Sequence, residues 1–490
     1  MIRRGPETEP QPEEVRFLAS APKDWRRRNG ITFTPPAMVA AMVGWAREKI
    51  PNPGRVVDAG AGSGRFALAA ASAFPEATVI AIEREPELAS LLRDTVARHR
   101  LIHRFEVREE DYRDTVLTRV QAPTLFLGNP PYVRHHALSR EAKDWYATTL
   151  AGLGLPASRL AGLHLHFFLK TLTLARPGDI GCLITAAEWL DVNYGRALRQ
   201  LALGPLGLLG LEVIDPRSPV FPDAMTSAVI TTFEVGRASS SVSVRWHPAA
   251  ESIRLGQGEP LERATLARSE KWGPLIRGGE PSAGSPRADG PTVGSLFRVS
   301  RGQVTGANRV WIVDPDKVAL PREVLWPAVT RARELFAAEG ILADAGRLRC
   351  VVDLPADLGS FDESTRGSIE AFLADAVARG ADQGYIARHR SPWYAVRLAP
   401  PAPILCSYMA RRTPVFVVND CNARHVNIAH GLYPRRPLSR SQLLAIASFL
   451  TASASRDDGR TYAGGLVKFE PREVERLPLP HESLSGDLIV

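Results

Sequence analysis

The stretch most suited to chemistry is Asn129-Pro130-Pro131-Tyr132, which ends the apolar run "TLFLG" from Thr124 to Gly128. Two successive prolines remove two amide donors and fix φ at both positions, so the Pro130 carbonyl is held stiffly outward. Asn129 places a side-chain acceptor beside it. Two acceptors aimed at one NH2 group would grip both of its hydrogens and draw its lone pair out of conjugation. That arrangement suits a weakly nucleophilic, planar amine, for which alignment and electrostatics must supply the reactivity. Tyr132 adds an aromatic face on which a flat base could stack, worth ~1 to 3 kcal/mol per base.

The elements that must position these residues are readable upstream and downstream. From about Arg55 to Glu234, short apolar runs ("RVVDAG", "ATVIAIE", "RFEVRE", "TLFLGN", "IGCLITA", "LEVIDP", "AVITTFEV") alternate with helix-like spacers. That alternation predicts an α/β domain, a mostly parallel sheet with helices on both faces. Ligands bind such sheets beyond the carboxyl ends of the strands, where "NPPY" lies. After the first strand, "DAGAGSG" sets Gly60, Gly62 and Gly64 at alternate positions of a strand-to-helix turn, where glycine lets the backbone approach a ligand closely. A dinucleotide fingerprint would need a glycine where Arg65 stands. Glu83 ends the next strand, where a carboxylate can accept hydrogen bonds from ribose hydroxyls. Taken alone, Glu83 or Asp111 reads better as a solvated acid; only together, at strand ends in this order, do they point to a bound cofactor.

The pattern of Asp58 with Gly60, Gly62 and Gly64 resembles motif I of the class I S-adenosylmethionine-dependent methyltransferases, a Rossmann-like fold. The ordered set FTPP, DAGAGSG, IE, EDY, NPPY and VFP resembles the gamma-type DNA adenine-N6 methyltransferases of restriction and modification systems. The resemblance covers roughly residues 25 to 235 and implies S-adenosylmethionine as cofactor and double-stranded DNA as substrate, with the target base flipped out of the helix. It implies roles for single residues as well. Phe33, Thr34 and Pro36 would form motif X at the methionine end of the cofactor, although Thr34 also reads as an ordinary helix cap. Asp58, Gly60, Gly62, Gly64 and Glu83 would hold the cofactor, Asp111 its adenine amino group and Tyr112 its ring. Asn129 and Pro130 would hold the target amine, with Asn129 also beside the cofactor. Tyr132 would face Phe221 of "SPVFPDAM", the aromatic of motif VIII, across the flipped base. His135 and His136 receive no role.

The chain has 490 residues, more than a single core usually serves, so two domains are expected. We expect an N-terminal extension over 1–30, a catalytic domain over 31–236, a connector over 237–294 and a mixed α+β target-recognition domain over 295–490. The connector is expected because "GGEPSAGSPRADGP" is rich in Gly, Ser and Pro. Within the last part, "LFRVSRGQVTGANRVWIV" reads as a hairpin, "STRGSIEAFLADAVARG" and "SRSQLLAIASFLTASAS" as helices, and "TPVFVVND" as a strand. Arginines interleave there with aromatics in "ARHRSPWYAVR", and Arg411, Arg412, Asn419, Asn422, Arg435 and Arg436 follow. These residue types suit groove and phosphate contacts.

The net charge of +8 fits a polyanionic partner. Of the 61 cationic residues 54 are arginine, a bias that a GC-rich gene can also produce. The four cysteines are scattered, which suggests neither a zinc site nor a disulfide framework. No secretory leader or membrane span is legible, so a cytoplasmic monomer is expected. The 30 residues before FTPP are too few for a nuclease domain, and none of the cysteines follows a proline as in cytosine-C5 enzymes. A stand-alone methyltransferase, perhaps beside a separately encoded restriction endonuclease, is the expectation. Three alternatives remain open: RNA adenine as substrate, a protein glutamine amide as substrate, and a catalytically silent DNA-binding subunit.

Overall fold

The computed structural model describes residues 12–215, 218, 220–221, 227–249, 253–278, 290–462 and 466–479. The chain divides into two compact units, one of residues 1–284 with 462–465 and one of residues 285–461 with 466–490. Among the described residues no helix is long and apolar enough to cross a membrane.

The first unit begins with helices α1 (Pro12–Ser20), α2 (Lys23–Asn29) and α3 (Pro36–Lys49). Strands and helices then alternate: β1 (Arg55–Ala59), α4 (Arg65–Ala73), β2 (Thr78–Glu83), α5 (Pro86–Arg98), β3 (Phe105–Glu109), β4 (Thr124–Gly128), α6 (Arg140–Gly152), α7 (Leu163–Leu174), β5 (Ile180–Ala186), α8 (Arg196–Leu203), β6 (Leu208–Ile214) and β7 (Ala228–Glu234). Each apolar run of the sequence became a strand. The nine-stranded sheet has the order β3-β2-β1-β4-β5-β7-β6-β8-β9. Its first five strands are mutually parallel, whereas β7 runs antiparallel to both β5 and β6.

The last two strands correct the expected connector. β8 (Ser241–His247) pairs with β6 and β9 (Glu259–Glu262) pairs with β8, followed by α9 (Arg263–Arg268) and α10 (Gly273–Ile276). Burial of Val242 and Val244 among β6, β7 and α8 side chains explains why this Ser- and Arg-rich stretch is ordered sheet. The Gly- and Ser-rich residues 279–289 lie outside the described residues, and the boundary between units falls within them.

Alternation along the central strands feeds two cores. Val56, Val79, Ala81, Leu125 and Leu127 pack with α3, α4 and α5 side chains. Val57, Ile80, Ile82 and Phe126 pack with Leu163 and Phe167 of α7. Burial on both faces is why these strands read as continuous apolar runs. The sheet reverses direction of winding between β1 and β4, whose registers match from Arg55↔Thr124 to Val57↔Phe126. Their carboxyl ends therefore emerge side by side, at a switch point of the kind that binds ligands.

In the second unit a five-stranded sheet takes strands in the order 297–301, 429–434, 404–407, 416–419, 341–342, and a four-stranded one takes 312–313, 350–352, 325–329, 424–425. The expected hairpin is not formed. Phe297–Arg301 pairs with Ala429–Pro434, and Ile312–Val313 pairs with Cys350–Val352, so the two runs enter different sheets. A helical turn at Asn308–Trp311 separates them, and long-range partners outcompete the local one. Helices Glu363–Ala378 and Arg440–Ser453 are where the sequence placed them, the latter capped by Ser439 and Gln442.

Gly64 has φ +86°, and a Cβ there would lie 2.3 Å from Leu92 Cδ1. Gly64→Ala should therefore lower unfolding stability by about 1 to 3 kcal/mol in a denaturant titration. An unchanged midpoint would mean the loop relaxes without cost.

Candidate active site

The turn between β1 and α4 is shaped by three glycines, at φ +74° (Gly60), +57° (Gly62) and +86° (Gly64). Side chains at the first two would press on neighbours: a Cβ on Gly60 would lie 3.2 Å from Pro131 Cδ, and one on Gly62 3.3 Å from Phe33 Cε1. The glycine loop, "NPPY" and the "FTPP" segment thus meet in one place. The cleft between them encloses about 820 Å³ including solvent-open space, within the ~300 to 1,000 Å³ of small-molecule sites.

Two carboxylates at the strand ends organise this loop. Asp58 is buried, and its Oδ2 accepts from the Ala67 amide at 2.9 Å, which caps the start of α4. Its Oδ1 is buried with no partner among the described residues, and Gly128 leaves it room. Glu83 accepts from the Gly62 amide at 2.7 Å and from the Glu85 amide at 2.8 Å. Burial is the chief force that pushes the pKa of both acids up from the ordinary value. For Asp58 the amide of Ala67 opposes the rise, the neighbouring Glu83 adds to it, and the result is about 8.

Asn129 stands at the end of β4. Its Nδ2 donates to the Thr32 carbonyl at 3.2 Å, an atom that can only accept, and this fixes the orientation of the amide. Oδ1 is consequently the free end, buried without a partner among the described residues. The preceding segment also touches the backbone of the motif, because the Tyr132 amide donates to the Gly30 carbonyl at 3.4 Å. Gly30 has φ +69°, and a Cβ there would lie 2.7 Å from the Tyr132 nitrogen.

The cleft brings together Phe33, Thr34, Gly60, Gly62, Glu83, Asp111, Tyr112 and Asn129. Asp58, Gly64 and Pro130 sit behind this lining, and Pro36 starts α3. Thr34 does not cap α3; Pro35 occupies the cap position and the Thr34 hydroxyl is buried without a partner among the described residues. Asp111 is engaged by Arg113, whose Nε and Nη2 donate at 2.9 and 2.6 Å. Burial opposes its ionisation, but the hydrogen bonds and charge of Arg113 outweigh that and hold it below the usual range. Tyr112 packs 4.9 Å from Phe167 and its hydroxyl meets Thr171 Oγ1 at 2.9 Å.

Tyr132 and Phe221 lie outside the cleft lining, edge to face with ring centroids 5.6 Å apart. His135 and His136 sit on a short turn with their rings 5.5 Å apart. Several lining residues escaped sequence reasoning, among them Ser63, Leu88, Leu163 and Phe167, since small or apolar side chains carry no pattern of their own. In the second unit, Asn419 is buried and spends its amide on Ala402, Ala423 and the Ala423 nitrogen, so it holds a turn and cannot read a base.

Comparison with known proteins decides the family. Residues 125–204 match the Eco57I restriction-modification methylase family, and residues 287–488 match the C-terminal domain of the type II methyltransferase M.Eco57I. Over 454 residues, 92% of this chain and 85% of the relative, the sequence is 47% identical to the type II methyltransferase M.XamI of Xanthomonas campestris pv. amaranthicola. The chain belongs to the type II methyltransferases of restriction and modification systems. The methyltransferase also shares 31% identity with the release factor glutamine methyltransferase of Escherichia coli (strain K12), over 170 residues that make up 34% of this chain and 58% of the relative. Its fold is similar to that of the type IIL restriction-modification enzyme MmeI at a TM-score of 0.55 and 12% identity, covering 88% of this chain and 66% of that one.

S-adenosylmethionine is the methyl donor of this family. The residues present fit it: a glycine cradle that side chains would fill, a carboxylate at the tip of β2, and three buried oxygens in or behind the cleft wall without a partner among the described residues, on Thr34, Asp58 and Asn129. When bound, that cofactor supplies an electrophilic methyl group on a sulfonium.

A raised Asp58 pKa means that the folded chain keeps a proton which the unfolded chain releases near pH 4. Its stabilising contribution is complete below that point and is lost as the pH rises towards about 8. The thermal midpoint of the cofactor-free enzyme should fall between about pH 5 and about pH 8, and Asp58→Asn should flatten that fall. An unaltered slope would place the titration elsewhere.

Proposed function

We propose that this DNA methyltransferase modifies the N6 amino group of adenine in duplex DNA, swung out of the helix into the space beside Asn129. The observation that carries this reading is the buried Asn129 Oδ1, which lacks a partner at the wall of a glycine-lined cleft. An unsatisfied buried acceptor costs about 1 to 3 kcal/mol, so its retention calls for a donor that arrives from outside. An exocyclic amine is such a donor. The Pro130 carbonyl, also without a hydrogen-bond partner among the described residues, would accept the second N–H.

With both hydrogens held, the nitrogen would become pyramidal and its lone pair, withdrawn from conjugation with the ring, would face the methyl. Tyr132 and Phe221 would then hold the base. Stacked contacts need ~3.5 Å on each side of a flat ring, so their centroids must part from 5.6 Å to about 7 Å. Phe33, Thr34, Asp58, the three loop glycines, Glu83, Asp111 and Tyr112 would hold the cofactor, with Pro36 fixing the start of α3 behind them. The solved structure of MmeI is of a complex with DNA, which supports the same class of substrate here. We take the described second unit, from 290 onward, as the target-recognition domain and the cytoplasm as the site of action. A restriction endonuclease encoded apart from this chain would be its biological counterpart.

A second reading, methylation of a protein glutamine, is favoured by the match to the release factor enzyme, because a side-chain amide is also a planar NH2. That match spans 34% of the chain and leaves the second unit without a purpose.

Asn129→Ala should lower methyl transfer by at least about a hundredfold while cofactor binding stays near wild type. Equal turnover in the variant would remove the residue from the mechanism. Methylation-sensitive sequencing of DNA from cells that express the enzyme should report N6-methyladenine at one short sequence. Modified cytosine there, or labelled methyl on protein only, would overturn the adenine assignment.

A further inference from the structure

Helix α1 reaches the wall of the cofactor cleft through Glu14 and Phe17. Glu14 is 1% exposed, yet its carboxylate is fully engaged: Ser63 Oγ donates to Oε2 at 2.6 Å, Arg65 Nε donates to the same oxygen at 3.0 Å, and Arg65 Nη2 donates to Oε1. Arg65 occupies the position at which a dinucleotide loop would carry its last glycine. Its remaining nitrogen, Nη1, donates to the Thr34 carbonyl at 2.5 Å, and its guanidinium lies 5.6 Å over the Phe33 ring. Phe17, one turn along α1, meets that ring edge-on at 6.3 Å. Phe33, Thr34, Ser63 and Arg65 all line the cleft. A buried carboxylate from outside the sheet thus fastens α1 to the glycine loop, and the Arg65 it holds ties that loop to the FTPP segment.

The chemistry explains why the tie is specific. A buried carboxylate is tolerated only when several donors satisfy it, and a planar guanidinium grips it with two parallel bonds while a third edge stays free for a carbonyl. A lysine ammonium, with its three donors on one atom, cannot offer that parallel pair and still reach a carbonyl beyond the far edge of a guanidinium. We propose that Glu14 is a positioning residue for cofactor binding: it clasps α1 to the glycine loop and, by fixing Arg65, holds Phe33, Thr34 and Ser63 in the arrangement that receives S-adenosylmethionine. The inference rests on the reading of this cleft as the cofactor site. Linkage adds a consequence, because whatever factor the clasp contributes to cofactor affinity the cofactor returns to the clasp. α1 is therefore held more firmly when the cofactor is bound.

The test titrates S-adenosylmethionine and S-adenosylhomocysteine calorimetrically into the full-length wild type and into the Glu14→Gln, Arg65→Lys and doubly substituted proteins. Proteolysis of residues 12–20 is followed with and without the cofactor. Either single change should raise Kd about tenfold, and the double variant should be no worse than about the weaker single, since both break one unit. Cofactor should slow cleavage at α1 in the wild type and not in Glu14→Gln. Ser63→Ala removes one hydroxyl donor only and should raise Kd by about threefold, which keeps the proposal testable if a charge variant fails to fold. A Glu14→Gln or Ser63→Ala protein that binds as the wild type does, with only its melting temperature lowered, overturns the clasp and leaves the cleft reading intact. A wild type that binds neither ligand overturns both.

Discussion

The adjacency of β1 and β4 is the constraint on which the site depends. Each strand is buried along its whole length, so neither can shift without exposing apolar side chains on one face or the other. Their parallel pairing brings the turn after Ala59 and the turn after Gly128 to the same edge, and Gly128 is small enough to let the Asp58 carboxylate stand between them. Polar groups collect there that none of the described residues satisfies. The orphaned oxygens on Thr34, Asp58 and Asn129 each cost about 1 to 3 kcal/mol in the absence of a ligand. Two extensive cores on opposite faces of the sheet make that tolerable. Stability is surrendered where binding needs it.

Orientation at Asn129 shows how the N-terminal segment contributes. A carboxamide in a polar pocket can turn over at little cost, exchanging its donor for its acceptor. The Thr32 carbonyl forbids the exchange, since it would face Oδ1 with a second acceptor. The free acceptor is therefore fixed by a backbone atom almost a hundred residues upstream, in the same segment that supplies Phe33 and Thr34 to the cleft. Arg65 then ties that segment to the glycine loop.

What could be read from the sequence follows from which forces are local. The central strands β1, β2, β4, β5, β6 and β7 were legible because burial on both faces writes itself as a run of apolar residues, and the turns because glycine and proline restrict the backbone directly. β9 was not, as its "EPLE" is an edge strand with little buried surface and a proline. The missing hairpin failed for the opposite reason. Phe297–Arg301 is a good strand whose partner lies more than a hundred residues away, and alternation says nothing about partners. Thr34 looked like a cap because caps and pocket hydroxyls share a residue type. Glu14 left no trace in the sequence, since one acid in a charged segment gains its meaning only when Ser63 and Arg65 fold against it.

Arginine content misleads in a similar way. Arg390 donates to the carbonyls of Val304 and Thr305, Arg424 lies 4.5 Å over the Trp326 ring while bonding the Ala399 carbonyl, and Arg435 holds the Gly294 carbonyl. These guanidiniums fasten irregular loops of the second unit, where carbonyls outnumber regular partners. A planar cation with five donors suits that task better than lysine does. A guanidinium committed to carbonyls keeps its charge but has fewer donors left for a phosphate, so the net charge of +8 does not measure how many arginines are open to direct contact with a polyanion.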